Sequence, residues 1–124
     1  MKQSIGTLRF VLALVFLVTL LAAYIFLSAP QFVLNFYEDV TQIDTAHVHL
    51  SMVTGAFLLV FAIGTLLAFL KPTKHAGTIT LIILMHFAMF IIDVLIMARG
   101  TDLQLRYILP EIIYMLAVCT LLIR

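Results

Sequence analysis

The sequence predicts an all-α integral membrane protein, a four-helix bundle of up-down-up-down topology, and three observations predict it. First, 65% of the 124 residues are apolar and only 10% are charged, whereas soluble domains run about 45–50% apolar and about 25% charged. Second, the apolar residues are gathered into four long blocks, which raises the mean hydropathy to +1.23. A soluble domain this short buries too small a fraction of its surface to hide so much apolar area. Third, the blocks have the lengths a bilayer demands. Phe10–Leu27 holds 18 residues, Met52–Leu70 holds 19, Ile79–Ala98 holds 20 and Tyr107–Ile123 holds 17, against about 20 for a hydrocarbon core of about 30 Å. Backbone groups in hydrocarbon must be paired within the segment, so blocks of this length are helices. The short alternating runs of a membrane β-barrel do not occur in the chain.

The first helix is expected over about 8–29. Its apolar stretch exceeds the 7–15 residues of a secretory signal, and Leu27 sits where a small residue belongs, so it reads as an uncleaved helix. Pro30 bends or ends it, and Phe32–Phe36 is expected to lie along the membrane surface as a half-turn or short amphipathic piece. The second helix is expected over 45–70, with Asp44 or Thr45 as its N-cap. The third and fourth are expected over 77–98 and 107–123. Connections 71–78 and 99–106 permit only antiparallel hairpins. No repeat or low-complexity tract interrupts the chain, so residues 1–124 form one transmembrane domain.

Orientation follows the basic residues of the short connections. Lys2, Arg9, Lys71, Lys74 and Arg124 fall on one side. Arg99 and Arg106 fall on the other, together with Glu38, Asp39, Asp44 and Asp102. This asymmetry places both termini in the cytoplasm of a multi-pass protein of the plasma (inner) membrane.

Ionisable groups at membrane depth are rare, because each costs about 2.5–3.5 kcal/mol at the bilayer centre. Counting from the outer helix ends at about 1.5 Å per residue, Tyr24, His49, Asp93 and Glu111 fall in one layer, one residue per helix. His47 is slightly shallower, and His86 lies about 10 Å deeper than Asp93 on the same count. Imidazole with two carboxylates is a ligand set for zinc, manganese or iron, so His49, Asp93 and Glu111 are the candidate metal ligands. The layer also suits proton exchange, since histidine titrates near neutral pH. Haem held by two histidines is disfavoured, because His49 and His86 differ in depth by about 12 Å. The same residues have plainer readings. Glu111 follows Pro110, a helix-start pattern. His47 and His49 suit the wet start of a helix. Asp93 can pair with Arg99, Arg106 or Tyr24, and His86 can be a neutral hydrogen-bonded side chain. His86, Met89, Asp93 and Met97 form one helical stripe, which reads as packing.

A net charge of +1 and one cysteine argue against nucleic-acid partners and a disulfide scaffold. No phosphate loop, nucleophile elbow, His-Glu-x-x-His or CxxC motif occurs. The sequence therefore leans away from an enzyme. It favours a small non-enzymatic accessory or interaction component of a membrane complex, whose partners are the lipid bilayer and other membrane subunits or further copies of itself. The alternative is a metal- or proton-handling bundle, a redox accessory or small transporter, using the His/Asp/Glu layer.

Overall fold

The computed structural model describes residues 5–37, 44–98 and 105–123, and these are helical throughout apart from single-residue joints and one tight turn. Five helices follow in order: α1 (Ile5–Ser28), α2 (Pro30–Tyr37), α3 (Thr45–Leu70), α4 (Ala76–Ala98) and α5 (Leu105–Ile123). Three segments, Ile5–Ser28, Thr45–Leu70 and Ala76–Leu95, are long and apolar enough to cross a membrane. The apolar part of α5, Leu109–Leu122, is shorter. The outer connections expected around 38–43 and 99–104 lie outside the described residues, and with them Glu38, Asp39, Arg99 and Asp102.

The break between α1 and α2 is set by Pro30, which has no N–H to continue the ladder and carries the φ of a first helical residue. Ala29 still donates to Ile25, while its own carbonyl accepts from Phe32 and Val33, the first bonds of α2. The sequence anticipated a short piece here, and it is a full helix of eight residues with Val33 buried. At the head of α3, Asp44 is the N-cap in extended conformation, and its side chain accepts from the His47 N–H at 2.9 Å. Between α3 and α4 the chain reverses in a turn closed by Lys74 and His75 donating to the Lys71 carbonyl.

α1 packs chiefly on α3, and α4 chiefly on α5. The α1 face that turns inward is Val11, Val15, Thr19 and Ala23, one residue per turn, with Leu12 beside it. Its partner face on α3 consists of small residues, Ser51, Gly55, Ala62, Thr65 and Ala68. Small residues let helix backbones approach closely, which supplies van der Waals contact where lipid removes any hydrophobic drive between helices. At Gly55, an added Cβ would lie 2.9 Å from Leu27 Cγ and from Phe26 Cβ. The start of α3 thus meets the end of α1, and the two run antiparallel. All four long helices contribute to the core, formed by Val11, Leu12, Val15, Ala68, Ile82, Val118 and Leu122. These residues gather near the end of the molecule that carries the α3–α4 turn.

Candidate functional site

Beyond that core, toward the other end, α1, α3, α4 and α5 part around a cavity of about 560 Å³. Its walls are mainly apolar, including Phe26, Leu58, Phe61, Met85 and Met89. Its polar lining comes from Thr19 on α1, Thr54 on α3, His86 on α4, and Glu111 and Tyr114 on α5. A largely apolar pocket with a few convergent polar groups is the usual form of a small-ligand site.

His86 is 5% exposed and is fixed from three directions. Its Nδ1 lies 2.8 Å from the Ile82 carbonyl one turn back, and its ring stands 5.9 Å from that of Phe61 and 5.8 Å from that of Tyr114. A carbonyl only accepts, so Nδ1 carries the proton and, in the neutral ring, Nε2 keeps its lone pair. The hydroxyls of Thr19 and Thr54 donate to the carbonyls of Val15 and Leu50 in their own helices, at 2.7 and 2.9 Å. The Tyr114 hydroxyl is buried with no hydrogen-bond partner among the described residues, and so is Oδ2 of Asp93. Asp93 is close enough to act on Glu111 electrostatically, but it does not line the cavity.

The six residues singled out from the sequence therefore separate. Glu111 and His86 line the cavity, and Asp93 does not. Tyr24 is 68% exposed. His49 is exposed, and His47 is held at the head of α3 by Asp44, 2.6 Å from its Nδ1. Among the described residues no three His, Cys, Asp or Glu side chains group as metal ligands, so His49 does not complete a ligand set with Asp93 and Glu111. The reason is azimuth. Tyr24 follows Ala23 of the inward stripe by one residue and His49 precedes Ser51 by two, so each is rotated off the packed face at about 100° per residue. Equal depth does not place residues on one side.

The Arg99 and Arg106 side chains, weighed as partners for Asp93, lie outside the described residues. The helix-start reading of Glu111 meets a different geometry, because α5 begins at Leu105 and encloses Pro110. Glu111 is thus in the second turn, where the pull of a helix N-terminus has faded. Tyr114, Thr19 and Thr54 carry much of the polar lining, though none is among the six candidate residues. A signal for Tyr114 exists, since Glu111, Tyr114 and Val118 recur at i, i+3 and i+7 on one face of α5. Comparisons with protein-family models, curated proteins and solved structures give no match to this chain.

Proposed function

We propose that the chain is a multi-pass protein of the plasma (inner) membrane, a four-helix up-down-up-down bundle with both termini cytoplasmic. In this reading it serves as a non-enzymatic accessory or interaction component of a membrane complex. The supporting observation is the outward display of large apolar side chains. Leu17, Leu21, Phe57, Val60, Leu84, Phe87 and Ile113, spread over all four long helices, are each more than half exposed. Contiguous apolar surface on this scale needs lipid or protein against it. α5 joins as the fourth span, since its 19 residues extend about 28 Å at 1.5 Å each.

The orientation is tested by cysteines at Gln31 and Thr73, both exposed, on a Cys119→Ala background. An impermeant maleimide should label Gln31→Cys in intact cells and Thr73→Cys only after permeabilisation. Labelling of both in intact cells overturns the orientation. The component reading is tested by native electrophoresis after mild extraction, where the chain should travel in an assembly larger than one copy. Migration as a single copy overturns it.

A second reading is favoured by the cavity: a bundle that handles a proton or a small ligand through His86, Glu111 and Tyr114. Its chemistry is that of hydrogen-bonding groups collected in an apolar pocket, without the His49–Asp93–Glu111 metal set.

A further inference from the structure

The polar lining of the cavity has a one-sided hydrogen-bonding character. The His86 Nδ1 proton is spent on the Ile82 carbonyl, so Nε2 of the neutral ring is an acceptor. Thr19 and Thr54 have spent their hydroxyl protons on helix carbonyls, and their oxygens keep lone pairs. An ionised Glu111 only accepts. Four residues therefore present acceptors, and among the described residues of the lining the one free O–H donor is Tyr114, whose hydroxyl is buried with no partner among them. Among the described residues no lysine or arginine lines the cavity.

From this lining we infer that the cavity binds a lipophilic organic ammonium ion, an apolar or aromatic body bearing a protonated primary or secondary amine. The inference rests on the second reading above and gives it a ligand class. The ammonium N–H groups supply the donors that His86, Thr19, Thr54 and an ionised Glu111 lack, and the positive charge offsets that carboxylate. Charge-assisted hydrogen bonds of this kind are about twice as strong as neutral ones. Phe26, Phe61 and Tyr114 offer aromatic surface, which attracts cations held over a ring face. A volume of about 560 Å³ suits such a body, since small-molecule pockets span about 300–1,000 Å³. Carbonyl-bearing or anionic ligands match the site poorly. They add acceptors to acceptors, and an anion also meets the Glu111 carboxyl.

The test uses the full chain in nanodiscs, with empty nanodiscs subtracted and three probes: phenethylammonium, its neutral counterpart 2-phenylethanol, and tetraphenylphosphonium, a cation without N–H. Phenethylammonium should bind at least about tenfold more tightly than the alcohol, and more tightly than the phosphonium. Glu111→Gln should bring ammonium and alcohol within about twofold of each other. Thr54→Val, which removes one acceptor at the wall and spares Glu111, should lower the ammonium preference about threefold should Glu111→Gln fail to fold. Equal or tighter binding of the alcohol overturns the proposal, as does a preference that survives both Glu111→Gln and Thr54→Val. Phosphonium binding equal to that of the ammonium overturns the donor match, and failure of all three probes to bind overturns the site. Maleimide labelling at Gln31 and Thr73 needs no ligand, so failure of the membrane reading is seen separately.

Discussion

Nδ1 of His86 donates to the Ile82 carbonyl at 2.8 Å, one turn back along α4, and this bond decides which ring nitrogen keeps its lone pair. Nitrogen NMR of selectively labelled protein in nanodiscs should show the tautomer protonated at Nδ1 at neutral pH, with Nε2 bare. A neutral ring protonated at Nε2 contradicts the bond, and with it the acceptor character of the lining.

Gly55 is a point of close approach between α3 and Leu27 and Phe26 of α1. An added methyl would lie 2.9 Å from two side-chain carbons and 3.1 Å from the Leu27 backbone nitrogen, and a backbone atom cannot rotate away. Gly55→Ala should therefore destabilise the bundle by about 1–3 kcal/mol, the usual cost of overpacking. Gly77→Ala meets nothing within 4 Å and should be neutral or slightly stabilising, because alanine is the better helix former. Reversible unfolding in detergent measures both. Equal stabilities for the two variants would contradict the close helix approach.

These two cases show what was legible in the sequence. Apolar block length and turn residues marked the four long helices to within a few residues, and Asp44 was readable as a cap because its side chain acts on the turn beside it. The small residues at Ser51, Gly55 and Ala62 were visible in the chain, but their partner was not, since pairing is a property of packing. The polar layer was the hardest part. Depth along a helix can be counted, whereas the direction of a side chain depends on which stripe packs inward. His49 and Tyr24 therefore share a depth with Glu111 and face elsewhere. The start of α5 expected at 107 lies two residues from Leu105, and it is the helix-start reading of Pro110 and Glu111 that fails, since both fall past the first turn.

Asp44 gives a pH dependence with a definite sign. Its carboxyl is held below the usual carboxylate range, first by the backbone N–H of His47 and then by the His47 side chain. A group whose folded pKa is depressed contributes stability above its unfolded value, and that stability is lost as pH falls through the folded value. The first turn of α3 should be intact at neutral pH and should fray as pH drops below about 4. Backbone carbon shifts of Thr45 to Val48 follow this directly. Asp44→Ala should look frayed at every pH, and Asp44→Asn should cap without the acid transition. An acid transition that persists in Asp44→Asn would assign it to another group.

Asp93 leaves one oxygen buried without a hydrogen-bond partner among the described residues and acts on Glu111 through charge, while His49 is exposed at the head of α3. These placements predict where energetic coupling lies. Residues in one network couple by about 0.5–3 kcal/mol, whereas separate sites add to within about 0.3–0.5 kcal/mol. Asp93→Asn and Glu111→Gln should be coupled, and the sign follows from like charge. Neutralising either carboxyl relieves the repulsion felt by the other, so the double variant gains less stability than the two single changes together. Asp93→Asn and His49→Ala should be additive, and a chelator should change neither cycle. Unfolding in nanodiscs, checked for reversibility, supplies both cycles from the same set of variants. Coupling of Asp93 to His49 above about 0.5 kcal/mol that a chelator abolishes would restore the three-residue metal layer. Additivity between Asp93 and Glu111 would separate the two carboxyls and remove Asp93 from the electrostatics of the cavity.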